Sequence, residues 1–143
     1  MVSKPVIQLV ELQRRYVMGE THIDALRAVD LDVWRNEYLA IMGQSGSGKS
    51  TLMNIIGCLD RPTSGTYHLA GQDIVQMNRD QRARIRNEQI GFVFQSFNLL
   101  NRTSALENVE MPFRIGRRDA EAADRPRRIL ERLGMQGRLE HRP

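Results

Sequence analysis

The sequence predicts an α/β fold with three parts: an antiparallel β opening, a buried strand that passes through a glycine-rich loop into a helix, and a helical appendage. Three observations carry this. Apolar and polar residues partly alternate in two early segments, Val6–Leu12 and Leu26–Val33. The apolar run Tyr38-Leu39-Ala40-Ile41-Met42 enters the loop Gly43–Gly48, and Leu52, Ile55, Ile56 and Leu59 leave it at helical spacing. The final third loses strand patterning and takes on capped helical segments.

In order along the chain, Gly19-Glu20 marks a turn between the two alternating segments, which makes them antiparallel partners. Tyr38–Met42 is continuous in its apolar character, as a strand buried on both faces would be. A helix begins at about Gly48, and Asp60-Arg61-Pro62-Thr63-Ser64-Gly65 stops it with turn residues. Thr66–Leu69 and Ile90–Phe94 are two further short strands, with a polar, arginine-rich helix at Asn78–Asn87 between them. Ser104-Ala105-Leu106-Glu107 has capping-box spacing ahead of Val109, Met111 and Phe113. Asp119–Leu133 is helical and Gly134 caps it. Within it Pro126 either kinks the helix or belongs to the first turn of a new one capped by Asp124. The expected division is a β-rich part over 1–100 and the start of a helical subdomain over 101–143.

Composition removes several classes. At 143 residues, 41% hydrophobic and 27% charged, the chain has globular rather than disordered character. No apolar run is long enough to span a bilayer, and Met1–Pro5 lacks the apolar core of a secretory signal. The single cysteine, Cys58, excludes an internal disulfide framework; it lies after the loop as packing, not as a nucleophile. His22, His68 and His141 have no metal-ligand spacing, and Trp34 and Tyr38 are expected at the core or its rim. A soluble, cytoplasmic protein is the expectation.

The net charge of +4 is unevenly placed: residues 1–78 carry 7 basic and 8 acidic side chains, and residues 79–143 carry 14 and 9. Arg79, Arg82, Arg84 and Arg86 form one cluster, and Arg117, Arg118, Arg125, Arg127, Arg128 and Arg132 another. Such clusters can follow a phosphate backbone. Interleaved Asp80, Glu88, Asp119, Glu121, Asp124 and Glu131, and the lack of stacking aromatics between the arginines, favour solvated helix faces instead. No nucleic-acid partner is expected.

Gly43-Gln44-Ser45-Gly46-Ser47-Gly48-Lys49-Ser50 fits G-x-x-x-x-G-K-[ST] at every position. The chemistry needs these residue types. A backbone nest over Gly43, Ser45, Gly46, Ser47 and Gly48 aims N–H groups at phosphate oxygens, and the helix N-terminus adds partial positive charge. Lys49 reaches the β- and γ-phosphates, the Ser50 hydroxyl faces magnesium, and Thr51 is placed to donate to the α-phosphate. Nucleotide binding is therefore expected, with Mg2+ as its companion.

The run Met42–Asn54, its continuation Gly57-Cys58-Leu59-Asp60-Arg61-Pro62-Thr63-Ser64-Gly65, and Ile90–Leu100 together resemble the ATP-binding domain of ABC transporters. The resemblance covers essentially the whole chain and is greatest to the branch serving macrolide export and lipoprotein release (the MacB/LolD type). It implies a P-loop NTPase of the ABC ATPase type, with ATP and Mg2+ as ligands. It gives Gln95 the role of contacting magnesium or its water and sensing the γ-phosphate, so that Lys49 and Gln95 are the catalytic candidates. The segment after Gln95 would meet a coupling helix of the membrane permease subunits. Tyr16 stands where the family has an aromatic that stacks on adenine; a buried strand tyrosine is the competing account. A second ATPase subunit, in a homodimer, and a peripheral position on the inner face of the cell membrane follow from the same resemblance.

The family pattern continues into Leu-Ser-Gly-Gly-Gln, a strand ending in Asp-Glu and a switch histidine, none of which this chain contains. The tail Leu130–Pro143 resembles the segment just before that signature, so the chain is expected to be truncated there, with an incomplete core and marginal stability. Weak Mg-ATP binding and negligible hydrolysis by the chain alone are the corollary. The alternative is a non-catalytic nucleotide-binding or interaction module. A P-loop kinase or nucleic-acid-binding protein is a third reading, which the Gln95 segment disfavours.

Overall fold

A computed structural model describes residues 4–115 and 124–143. The arginines at 117 and 118 and the first part of the helix expected at 119–133 lie outside the described residues. The chain divides into two compact units, one ending at Phe92 and one beginning at Val93.

In the first unit, β1 (Ile7–Met18) and β2 (Thr21–Val33) form the expected hairpin, turning on Gly19-Glu20. β3 (Ser64–Leu69) pairs with the other edge of β1, and the two-residue β4 (Gln72–Asp73) follows, giving the order β2-β1-β3-β4 with antiparallel pairing throughout. β1 is not regular. Its register slips by one residue between Leu9 and Leu12 against β2, and between Val10 and Gln13 against β3. Glu11, inside both slips, has φ 49°, and its N–H donates to Asp30 Oδ1 at 2.7 Å. This is a β-bulge. Side chains alternate faces along a strand, so residues three apart should oppose each other. The extra residue brings Leu9 and Leu12 to the same side, where they are 1% and 0% exposed. With Leu26, Leu52, Ile55, Cys58, Tyr67, Leu69, Ile74 and Ile85 they form the core.

Helix α1 (Lys49–Ile56) buries Leu52 and Ile55 in that core, as their spacing predicts. It ends earlier than expected. Gly57 caps it, Cys58 takes φ 56°, and the N–H groups of Leu59 and Asp60 both close on the Asn54 carbonyl at 2.8 and 3.1 Å. Leu59, expected on the buried stripe, is therefore turned out and 50% exposed. Helix α2 (Arg79–Gln89) matches the expected arginine-rich helix and is fixed by a capping box, Asn78 with Gln81 at 2.9 Å in both directions.

Two expected strands are absent. Tyr38–Met42 and Ile90–Phe94 have no ladder and do not join the sheet. Tyr38 is 95% and Met42 87% exposed, so Tyr38 is neither core nor rim. A strand exists only through pairing with a neighbour. The antiparallel sheet of the described residues offers these two segments none.

In the second unit, α3 (Ala105–Ile115) begins with the expected capping box: Glu107 N–H donates to Ser104 Oγ at 3.2 Å, and Ser104 N–H to Glu107 Oε2 at 2.7 Å. The next free N–H groups, of Ala105 and Leu106, donate to the His141 and Leu139 carbonyls at 2.8 and 3.0 Å. α4 (Arg125–Arg132) has Pro126 in its first turn and Asp124 at its N-cap position, although the Asp124 side chain makes no capping bond, and Gly134 follows at φ +73°.

Gly65 supports the bulge from the β3 side. It has φ +87°, and a Cβ there would lie 2.4 Å from the Glu11 carbonyl oxygen and 2.7 Å from Leu12 Cα. Gly65→Ala should therefore cost about 2 kcal/mol or more and lower Tm by roughly 5–10 °C. An unchanged melting curve would contradict the close approach.

Candidate functional site

The loop Gly43–Gly48 folds into a tight turn in which Ser47 N–H donates to the Gln44 carbonyl at 3.2 Å. Gly43, Gly46 and Gly48 all have positive φ. Gly48 is the N-cap of α1 at φ 90°, and a Cβ there would meet the Ala25 carbonyl oxygen at 2.4 Å. Only glycine lets the loop lie this close to the edge strand β2. Lys49, first residue of α1, folds back over the loop. Its ammonium donates to the Gly43 carbonyl at 2.7 Å and the Gln44 carbonyl at 2.6 Å, and lies 3.4 Å from Ser47 Oγ. A cation, the start of a helix and a glycine-bearing turn thus meet at one point. Ser45, Ser47 and Ser50 are exposed beside it, and Thr51 is half-buried. A cleft of about 300 Å³ opens between β2 and the loop, lined by Asp24, Ala25, Leu26, Arg27, Gly46 and Ser47 among others. Arg15 holds the Asp24 carboxyl below its ordinary value through a hydrogen bond of 2.5 Å from Nε, across the β1–β2 ladder.

Tyr16 sits on β1 opposite Ile23, half-buried. Its hydroxyl donates to Asp60 Oδ2 at 2.8 Å, and the Arg14 guanidinium lies over its ring, 4.3 Å from the centroid. Gln95 belongs to the second unit, in an exposed loop. Of the expected site residues, then, Lys49, Gly43 and Ser47 are brought together, Tyr16 is set in a network of its own, and Gln95 stands in the other unit. Sequence reasoning missed Arg14 and Asp60. Arg14 is two residues from Tyr16 on the same strand, which is the signal for a shared face. Asp60 lies 44 residues away from Tyr16 in a segment legible only as a helix stop.

The ABC transporter family model matches residues 26–143. The chain belongs to the ABC transporter family. It is 48% identical over 144 residues to the macrolide export ATP-binding/permease protein MacB of Marinobacter nauticus, covering 100% of this chain and 22% of that one. It is 49% identical to the ABC transporter ATP-binding protein YknY of Bacillus subtilis, covering 96% of this chain and 60% of the relative. Among solved structures it is similar to a dimer of the ATP-binding cassette MJ0796 bound to ADP and Pi, with TM-score 0.83 and 42% identity over 96% of this chain and 61% of that one. The fold is therefore that of the N-terminal part of an ABC ATPase cassette, of the MacB-like type. The chain spans about a fifth of the MacB relative and three-fifths of YknY. Among its described residues no helix is long and apolar enough to cross a membrane.

Cys58 packs in the core of this ABC chain, as expected. Cys58 is buried, and burial pushes its thiol up from 9.0. Burial also pushes the Tyr67 phenol far up; its hydroxyl donates to the Ile56 carbonyl at 2.6 Å. The fold favours both groups neutral. Their contribution to stability is fully present below the unfolded thiol value of 9.0 and is lost as pH rises through the raised folded values. Denaturant unfolding should give level stability between roughly pH 7 and 8.5 and a decline above about pH 9. Level stability up to about pH 11 would show that neither group is held neutral by the fold.

Proposed function

We propose that the chain is the nucleotide-binding part of an ABC-type ATPase that binds Mg-ATP and couples its hydrolysis to export or lipoprotein release through membrane permease subunits. The observation that carries this is the Lys49 ammonium, held over the glycine loop at the start of α1 by the Gly43 and Gln44 carbonyls. The donor set fits a polyphosphate: a cation, the unpaired N–H groups of a helix start, and the adjacent Ser50 hydroxyl, a hard oxygen donor suited to magnesium. When bound, Mg-ATP supplies the phosphoanhydride whose cleavage drives the cycle. Lys49 exchanges its backbone carbonyls for phosphate oxygens, the loop N–H groups and those of α1 orient the chain of phosphates, and Thr51 adds a hydroxyl at its α end. Tyr16 offers the flat face for adenine.

The assignments of Gln95 to magnesium and of the following segment to the permease subunits rest on the family. So do the homodimer and the position on the inner face of the membrane. Relatives named as macrolide and pyoverdine export proteins support export, and the dimeric cassettes support a second ATPase subunit. The chain contains no Asp-Glu pair and no Leu-Ser-Gly-Gly-Gln. Lacking the signature that would close on the nucleotide it binds Mg-ATP weakly, and without an acid to position water it does not hydrolyse it alone.

Titration with Mg-ATP, with phosphate release measured in parallel, tests both parts. Lys49→Ala should weaken binding by about 10- to 100-fold, the loss of one charge-assisted contact. Neither form should turn over. Binding untouched by the substitution would refute the site, and robust turnover abolished by Lys49→Ala would refute the inactivity of the chain alone.

A further inference from the structure

The Tyr16 network was not legible in the sequence, and it has the geometry of a device. Arg14 donates to Asp60 through Nε at 3.0 Å and Nη2 at 2.9 Å, a two-pronged ion pair with both side chains largely covered. Asp60 Oδ2 also accepts the Tyr16 hydroxyl at 2.8 Å, while the Arg14 guanidinium lies against one face of the Tyr16 ring. Asp60 is itself fixed at its backbone N–H and at its carboxylate. Its N–H donates to the Asn54 carbonyl of α1 at 3.1 Å, and its Oδ1 accepts the next N–H, of Arg61, at 2.7 Å. The tyrosine is thus held at its hydroxyl and on one face, and the holding carboxylate is tied to the helix that begins at Lys49.

We infer that Asp60, with Arg14, is a positioning element that presets the Tyr16 ring as the platform for the nucleobase and fixes it to the phosphate-loop helix. This rests on the proposed nucleotide site and deepens it. A tyrosine on a strand has two side-chain torsions to immobilise when a base settles on it, and immobilising them opposes binding. Here the ion pair, the hydroxyl bond and the guanidinium contact immobilise them on folding. Asp60 therefore contributes to affinity for the base and sugar half of the nucleotide, and not to affinity for its phosphates.

Calorimetric Kd values for Mg-ATP and for Mg-tripolyphosphate, on the full-length protein and its variants, test this. Asp60→Asn should weaken Mg-ATP about tenfold and leave Mg-tripolyphosphate within about twofold. In a Tyr16→Ala background the same substitution should have no further effect on Mg-ATP, because residues acting as one unit are not additive. Equal weakening of both ligands, or the same factor with and without Tyr16, would overturn the inference and leave Asp60 a general structural residue. Should Asp60→Asn fail to fold, Tyr16→Phe removes the hydroxyl tether and keeps the ring. It should weaken Mg-ATP several-fold with tripolyphosphate unchanged, and undiminished Mg-ATP binding would overturn the inference. Tyr16→Ala without effect on Mg-ATP would refute the base platform itself, and with it that part of the proposed function. A loss with Tyr16→Ala but none with Asp60→Asn refutes the positioning alone.

Discussion

The one-residue bulge at Glu11 is the constraint on which the first unit depends. β1 is paired on both edges, so a shift in its phase is felt by β2 and β3 together. Because side chains alternate strictly along a strand, one inserted residue reverses which face every later residue occupies. Before the bulge Leu9 faces the core; after it Leu12 does, and Arg14 and Tyr16 continue on the face of Leu12. Without the insertion, burying Leu9 would turn Leu12, Arg14 and Tyr16 away from α1 and Asp60. The bulge is therefore what carries the face of the core onward into the Arg14–Tyr16–Asp60 network. Gly65 and Asp30 are its local supports, one by making room for the Glu11 carbonyl and the other by accepting its N–H.

What was legible in the sequence is what local chemistry determines. The phosphate loop, the start of α1, the capping box at Ser104 and the turn at Gly19-Glu20 each depend on residues within about one helical turn of each other. The two missing strands illustrate the opposite case. Tyr38–Met42 has the composition of a doubly buried strand, but composition cannot supply the neighbouring ladder that makes a segment a strand. The Tyr16 network is harder still, since its carboxylate is 46 residues from Arg14. The imperfect alternation of Val6–Leu12 did contain the bulge. Two leucines three apart in a strand can both be buried only if a residue is inserted between them.

Several arginines make contacts that composition cannot reveal. Arg14 is paired with Asp60, Arg15 with Asp24 and Arg84 with Glu88. Arg61 and Arg86 donate to the Met77 and Cys58 carbonyls, at 2.7 and 2.9 Å. These side chains close loops and link α2 to the end of α1, so this part of the positive charge serves the fold. Lys49 differs from the three ion-paired arginines. Its acceptors are the carbonyls of the loop that it crosses, with no carboxylate among its contacts. A cation held only by neutral acceptors keeps its full charge available to an anion.

The early end of α1 belongs to the same arrangement. Had the helix continued through Leu59, as its apolar spacing suggests, Asp60 would have stayed on the helix axis one turn beyond Ile56. Instead Cys58 enters the left-handed region, and both Leu59 and Asp60 turn back to the Asn54 carbonyl. That reversal exposes Leu59, an unfavourable outcome for an apolar side chain. It also brings the Asp60 carboxylate within hydrogen-bond distance of two β1 side chains. One short helix thus has the phosphate-loop lysine at its first residue and, four residues past its last, the anchor of the tyrosine. Displacing α1 relative to the sheet disturbs the Asp60 ion pair with β1 or the close approach of Gly48 to Ala25 on β2. Two contacts at opposite ends of an eight-residue helix fix its position far better than either contact alone.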